Sequence, residues 1–253
     1  MKNITFKNIY KSGQIVQEND LYIHVHNPEM LLQYDSNYIA FKKMPTTEEF
    51  KAAESYLKTY HEKYGQKHVR FYFPEGVTLT PELMYHFKDD AYFLFGFQEL
   101  YSIQPDQFPA VKDHPEIDIQ SVSNETLDVF LKFQYELDSA NGNDFADQKQ
   151  GQHLRNFKDE KIVQIIAFYN GKIAGSLDVI ISDDTAEIDG FMVHEDFQKK
   201  GIGSRMQKYV MNRFSDKTVI LVADGEDTAR EMYQKQNYQF LDLQYNALKV
   251  YQF

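Results

Sequence analysis

The residues whose types and spacing could do chemistry are concentrated between Glu187 and Ser204. Two carboxylates, Glu187 and Asp189, stand in an apolar, strand-like run that ends at Val193, and a short acidic turn follows. Residues 198–204 then read Gln-Lys-Lys-Gly-Ile-Gly-Ser and open a helical pattern. Glycine permits close backbone approach, and a helix N-terminus presents unpaired N–H groups with partial positive charge. This order of strand, glycine-bearing loop and helix start indicates a cradle for a diphosphate.

The elements upstream of this loop form a regular series. Strands are predicted at 161–169, 172–181 and 186–193, and helices at about 124–140 and 144–158. Asn170-Gly171 is the strongest two-residue hairpin signal, and it joins the first two strands. The pattern therefore predicts a strand, two helices and then an antiparallel meander that leads into the loop.

The elements downstream continue the series. A β-branched run at 218–222 predicts a buried strand. A helix that carries Tyr233 follows, with Asp227 or Thr228 as its N-cap. Two terminal strands are predicted within 238–251. From about residue 117 to 253 the order is that of a mixed α/β fold.

The loop resembles the pyrophosphate loop of the GNAT N-acetyltransferases, whose pattern is Gln/Arg-x-x-Gly-x-Gly/Ala. Gln198, Gly201 and Gly203 match its three defining positions. The order of elements on both sides of the loop is also that of this family. The resemblance implies the acyl-CoA N-acyltransferase fold, with acetyl-CoA as co-substrate and an amine as acceptor.

The family's second signature, Asn-x-x-Ala-x-x-Leu-Tyr-x-Lys-x-Gly-Phe, is similar to residues 226–238. Ala229, Tyr233 and Lys235 match it. Glu226 stands where asparagine is usual, which puts a polar contact to the cofactor in doubt.

The resemblance also implies a set of cofactor-binding residues, on the strand, in the loop and in the second signature. These are Phe191, Met192, Val193, Gln198, Lys199, Lys200, Gly201, Ile202, Gly203, Ser204, Glu226 and Ala229. The family transfers the acetyl group directly, without an acyl-enzyme, which fits a chain without cysteine.

Acetyl transfer to an amine needs a base, because a typical amine is protonated at pH 7. Glu187 and Asp189 alternate with Ile188 and so share one face of the strand. We expect Glu187 to be the base, acting through water, with Asp189 as the alternative. Tyr233 matches the family tyrosine near the sulfur and is expected to protonate the leaving thiolate.

The first 110 residues weakly repeat the pattern of the C-terminal half. Residues 68–76 parallel 217–225, and residues 79–87 parallel 227–235. The equivalent of the glycine loop is missing. We therefore predict a degenerate GNAT-like domain at 1–110 and an acetyltransferase domain at 117–253. The N-terminal domain would shape the acceptor site or replace a dimer mate, so a monomer or a homodimer is expected.

Composition narrows the class of protein. The 253 residues carry a formal net charge of −11, which argues against nucleic-acid binding and suits a cationic acceptor. No apolar run is long enough for a membrane span, and the N-terminus has no secretory signal. Without cysteine there are no thiolate metal ligands, and His24 and His26 have no evident third ligand. We expect a cytoplasmic protein with no metal, no nucleic-acid partner and no membrane partner.

Alternatives to an acetyltransferase remain open. The chain could bind acyl-CoA as a regulator or sensor without turnover. The reason for this hypothesis is Glu226, which replaces the usual asparagine of the second signature. It could use another acyl chain or an alcohol acceptor on the same fold. It could also be an interaction module with a vestigial cradle. The acceptor itself is not encoded in any motif.

Overall fold

A computed structural model describes residues 4–90, 92–225 and 229–251, and within them eleven strands form one mixed sheet. The strands are β1 Gln14–Glu18, β2 Tyr22–His26, β3 Tyr38–Phe41, β4 His68–Tyr72, β5 Phe93–Ile103, β6 Ile117–Ser121, β7 Ile162–Tyr169, β8 Lys172–Ile181, β9 Thr185–Val193, β10 Thr218–Asp224 and β11 Gln239–Val250. The helices are α1 Thr47–Glu62, α2 Pro81–Asp89, α3 Leu127–Asp138, α4 Asn143–Lys158, α5 Ile202–Arg213 and α6 Ala229–Lys235.

The predicted mixed α/β architecture is confirmed. Strands β6 to β9 form an antiparallel meander, and β10 adds to β9 in parallel. Asn170 and Gly171 both have positive φ, 49° and 74°, as a tight hairpin between β7 and β8 requires. None of the helices in the described ranges is long and apolar enough to cross a membrane.

The centre of the sheet differs from the predicted order. One strand, β11, replaces the two strands predicted within 238–251, and it continues through a bulge between Phe240 and Asp242. The sheet order β4-β11-β5-β10 interleaves the two halves of the chain. Each half thus ends in a strand that is hydrogen-bonded between strands of the other half.

The two faces of the sheet are covered differently. On one face, Phe50 of α1 packs on Phe71, while Met206 and Val210 of α5 join the core residues of β7 to β10. On the opposite face, α3 and α4 cover β7 and β8. Residues 4–12 cross that same face near the middle of the sheet, where strands of both halves meet.

Candidate active site

Strands β9 and β10 diverge at the centre of the sheet. Residues 185–188 of β9 pair in parallel with 218–221 of β10, whereas β9 continues to Val193. Gly190, at φ 58°, marks a bulge where β9 pairs with β8 on its other side. In the described chain, the edge of residues 189–193 that faces β10 has no strand beside it, so its main-chain groups are available to a ligand.

The loop after β9 exposes a row of main-chain donors. Lys199 and Gly201 both adopt the left-handed conformation, at φ 61° and 78°, and Gly201 is the N-cap of α5. Within the described chain, none of the N–H groups of residues 199–204 donates to a backbone carbonyl of a turn, a loop or a helix cap. Six consecutive free donors at a helix N-terminus are a geometry that suits an anion such as a diphosphate.

Side chains of the loop and of α5 fix this geometry. Gln198 Nε2 donates to the carbonyl of Val193 at 3.3 Å, which ties the loop to the end of β9. Arg205 Nη1 donates to the carbonyl of Gly201 at 2.9 Å. Ser204 Oγ accepts from Gln236 Nε2 at 3.4 Å. The side chains of Gln198 and Arg205 therefore hold the main chain of the loop in place.

Gly203 and Ile202 seat the helix against the strand. A Cβ at position 203 would lie 3.0 Å from Phe191 Cζ and 3.6 Å from Val193 Cγ2. Ile202 is buried in the core beneath the sheet. Gly203 thus allows the start of α5 to lie close to the free edge of β9.

The charges around the loop favour an anion. The ammonium of Lys200 lies 4.8 Å above the ring of Tyr169 and 5.1 Å above that of Phe197, while Lys199 is exposed. The first turn of α5 contains no acidic residue, and among the residues that the structure describes no side chain caps its N–H groups.

The corresponding helix of the N-terminal half is built in the opposite way. Thr46 caps α1 with its side chain, and Glu49 completes the capping box. Glu48 and Glu49 also place negative charge in the first turn. A capped, acidic helix start repels a diphosphate, which supports the prediction that this half does not bind the cofactor.

A cavity of about 250 Å³ lies on the sheet face next to the diverging strands. Glu187, Ile188 and Asp189 of β9 form part of its wall, as the alternation in sequence predicts for the two carboxylates. The remaining lining comes mainly from the N-terminal half: Phe6, Ile9, Tyr10, Lys11, Asp35, Tyr38, Ala40, Tyr72 and Gln98, with Val222 and Gln244 from the C-terminal half. The two halves therefore share one cavity.

The environment of Glu187 shifts its acidity. Glu187 is 7% exposed, and burial raises the pKa of its carboxyl to about 8. The main-chain N–H of Tyr10 donates to Glu187 Oε2 at 2.7 Å and opposes this rise, while Asp189 adds to it. Behind them, burial also raises the pKa of Asp178, whose carboxylate accepts from Asn156 at 2.9 Å. A carboxyl with a pKa near neutrality can exchange a proton under physiological conditions.

Tyr233 lies apart from this cavity. Its ring is 7% exposed and packs in the core beneath the sheet, 5.3 Å from the ring of Tyr101 and 5.4 Å from that of Tyr238. It does not line the cavity that contains Glu187. Its role as an acid stays a prediction. Tyr233 and Glu187 could act on the same bound substrates only if these reached both residues through the gap between β9 and β10.

Two residues expected to bind the cofactor lie at the limit of the described structure. Glu226 falls outside the described residues, as do the proposed helix caps Asp227 and Thr228. Ala229 begins α6, but its side chain is outside the described part.

Sequence reasoning missed the contribution of the N-terminal residues to the site. Tyr10 contacts Glu187 across 177 positions of sequence. Asp35, Tyr38 and Tyr72 lie on the wall opposite β9. No local signal could have identified these residues, because their proximity depends on how the two halves of the sheet interleave.

The histidines of the N-terminal half are buried. His24 and His26 are 0% and 3% exposed and lie near His61, with ring centroids 6.2 and 6.4 Å from it. Burial lowers the pKa of His24 to about 3 and that of His61 to about 4. Among the described residues, no group of three or more histidine or acidic side chains is arranged to hold a metal ion.

The comparisons with known proteins identify the family. The chain belongs to the acetyltransferase (GNAT) family, whose model matches residues 97–238. Residues 4–101 match a model described as a domain of unknown function (DUF5613). No curated protein matches the chain significantly.

Solved structures extend the likeness to the whole chain. A functionally unknown conserved protein from Staphylococcus epidermidis is similar at 32% identity and TM-score 0.88, with 98% of each chain covered. A GCN5-related N-acetyltransferase from Kribbella flavida is similar at 12% identity and TM-score 0.58, over 94% of this chain and 90% of the other. A tandem GNAT protein from the clavulanic acid biosynthesis pathway shares 10% identity at TM-score 0.51, over 84% of this chain and 75% of the other. These two likenesses concern the fold, which is GNAT-like in the N-terminal half as well.

Proposed function

We propose that this protein is an acetyl-CoA-dependent N-acetyltransferase that transfers the acetyl group directly to an amine. The observation that carries the proposal is the juxtaposition, on one strand, of a free main-chain edge and a carboxylate. Residues 189–193 of β9 lead from the cavity of Glu187 to the row of free N–H groups at 199–204. A cofactor held along this strand would present its reactive end beside the acceptor cavity.

Each part of this arrangement has a chemical task. Acetyl-CoA would supply the acetyl group as a thioester. The N–H groups of residues 199–204 would bind its diphosphate, assisted by the charge of Lys199 and Lys200. The free edge at Phe191, Met192 and Val193 would bind the amides of the pantetheine arm and orient the thioester carbonyl.

Glu187 is proposed to accept a proton from the acceptor amine, directly or through water. The amine then forms the new amide bond, and the thiolate that leaves takes up a proton. Asp189 is the alternative base on the same wall. Tyr233 is proposed as the donor of the thiolate's proton, and Tyr233→Phe should lower kcat more than cofactor affinity.

The charge of the cavity favours a cationic acceptor. Asp35, Glu187 and Asp189 are among its lining residues, and Lys11 is the one ammonium among them. Asp35 is already paired with Arg70 at 3.0 Å, so Asp189 is the carboxylate of β9 left to attract an ammonium, and Glu187 adds to its charge when it ionises above about pH 8. The N-terminal half is proposed to serve as a cofactor-free tandem domain that completes this acceptor site.

The proposal is tested by a screen of amines for thiol release from acetyl-CoA. We expect one class of primary amine to give thiol release that saturates with amine concentration and yields the acetylated amine by mass spectrometry. Thiol release without an acetylated amine would indicate hydrolysis. Cofactor binding without any acetyl transfer would indicate a CoA-binding regulator rather than an enzyme.

A further inference from the structure

Residues 4–12 cross the sheet face directly above Glu187. Phe6 is buried, and Thr5 caps the short turn Phe6–Asn8 with its side chain. Two hydrogen bonds join the main chain of this segment to the described structure, and both acceptors are carboxylates. Phe6 N donates to Glu75 Oε2 at 3.1 Å, and Tyr10 N donates to Glu187 Oε2 at 2.7 Å.

The segment separates two cavities on the same face. Phe6, Ile9, Tyr10 and Lys11 line the cavity of Glu187. Ile4, Thr5 and Asn8 line a second cavity of about 740 Å³, which also includes Thr185 of β9. Thr185 and Glu187 alternate with the core residue Ala186, so they lie on the same side of β9. The segment therefore borders both cavities.

The main-chain nitrogen of Tyr10 occupies the position that an acceptor amine needs. A base must lie within hydrogen-bond distance of the proton that it removes, and Tyr10 N is at that distance from Glu187. An amine and the Tyr10 N–H therefore compete for the same carboxylate. No strand ladder holds the segment, so its release breaks two main-chain hydrogen bonds and exposes Phe6.

We propose that residues 4–12 form a strap that closes the acceptor cavity and has to leave Glu187 before an amine can be acetylated. This inference rests on the proposed function for its consequence in catalysis. The strap acts as an internal competitor of the acceptor, supplied by the N-terminal half to the active site of the C-terminal half.

The test compares Tyr10→Pro with Tyr10→Ala. Proline removes the N–H that binds Glu187, and Ile9, at φ −73° and ψ 132°, already has the conformation that a residue before proline prefers. Alanine removes the same ring but keeps the N–H. The pair therefore isolates the hydrogen bond, and Phe6→Ala releases the strap at its other anchor.

The first measurement is the rate at which a water-soluble carbodiimide with an added amine labels Glu187, followed by peptide mass spectrometry. We expect labelling in Tyr10→Pro and Phe6→Ala to be about tenfold faster than in the wild type, because a carboxylate is labelled only when the reagent reaches it. Tyr10→Ala should stay near the wild-type rate, and the exposed Glu195 should label equally in all four proteins. Equal labelling of Glu187 in all of them would overturn the proposal.

The second measurement is thiol release with an amine from the screen. A strap that competes with the acceptor predicts a lower KM for the amine in Tyr10→Pro and Phe6→Ala, with unchanged affinity for acetyl-CoA. A higher KM in folded variants would instead make the segment a permanent wall of the site and would refute the strap. If no amine reacts with any variant, the proposed function fails, while the labelling rates still decide whether the strap closes the cavity.

Discussion

Among single residues, Glu187 combines two properties that a general base needs: access to a cavity and a carboxyl pKa raised by burial to about 8. A buried carboxylate costs free energy when it ionises, and a protein tolerates it mainly where its chemistry is used. The Tyr10 N–H recovers part of that cost by hydrogen bonding to Glu187.

The pH dependence of the reaction follows from this pKa. The base is active in its ionised form, so kcat/KM should rise with pH and level off above about 8. The measurement is thiol release between pH 6 and 9.5. Two acceptor amines of different pKa are compared, so that the effect of amine ionisation on the rate can be separated from that of the enzyme. If the pH profile of kcat/KM follows only the pKa of each amine, Glu187 is not the base.

The same pKa predicts a gain in stability when Glu187 is replaced by glutamine. A carboxyl whose pKa is raised from 4.5 to about 8 on folding contributes stability below pH 4.5 that is lost as pH rises through about 8. Glutamine cannot ionise and still accepts the Tyr10 N–H. In urea unfolding, Glu187→Gln should therefore exceed the wild type by about 5 kcal/mol at pH 9 and by about 1 kcal/mol at pH 5.

The control for this prediction is Glu195→Gln, because Glu195 is exposed. It should show no such pH-dependent difference. An equal stability of Glu187→Gln and the wild type at pH 9 would mean that Glu187 is solvated rather than buried.

Residues close in sequence were predictable, and those brought together over long distances were not. Glu187 and Asp189 could be assigned to one wall because strand alternation is a local rule. Tyr10, Asp35 and Tyr72 could not, since each reaches the cavity through contacts far away in sequence. The buried position of Tyr233 was also beyond local patterns, because one helix face gives a core residue and a site residue the same spacing.

Among the elements, the loop from β9 to α5 has a structure that could be predicted from its own residues. The glycine spacing predicted the helix start, and Gly201 is its left-handed N-cap. Lys199 is also left-handed, which is uncommon for a residue with a Cβ. That conformation was not predictable from residue type.

Replacing Gly201 by valine tests the loop. A β-branched residue at φ 78° strains the backbone by about 1–3 kcal/mol and displaces the N–H groups of the cradle. Gly65→Val is the matched control, because Gly65 has φ 71° after α1 in the N-terminal half, with open space around it. Both variants should lose similar stability, but only Gly201→Val should lose affinity for acetyl-CoA, by tenfold or more in equilibrium dialysis (about 1.4 kcal/mol). Equal affinities in the two variants would exclude the loop from binding.

At the scale of the whole molecule, the interleaved strands make the two halves interdependent. β5 lies between β10 and β11, so the C-terminal half pairs the strand that follows its last helix with a strand of the N-terminal half. The sequence repeat indicated two similar halves, but it could not show which strands would pair, because hydrogen-bond partners are not encoded in a hydrophobic pattern. The boundary at residues 110–117 remains a prediction.

This architecture predicts that residues 111–253 do not fold alone. Without β5, the long strand β11 and the edge of β10 would be left unpaired, and exposed strand edges promote aggregation. We expect the fragment to lack a cooperative unfolding transition by circular dichroism and to become soluble when co-expressed with residues 1–110. The full chain cleaved at an inserted protease site between 111 and 115 should remain associated. A folded, monomeric fragment would refute the interdependence.

The most direct test of cofactor binding is calorimetric titration of the wild-type protein with acetyl-CoA, with desulfo-CoA and adenosine diphosphate as comparisons. The proposed diphosphate cradle predicts one binding site with a Kd in the micromolar range, about −8 kcal/mol, and weaker binding of the diphosphate alone. Absence of binding by acetyl-CoA and desulfo-CoA would contradict it, because the free N–H groups of residues 199–204 would then have no cofactor to hold.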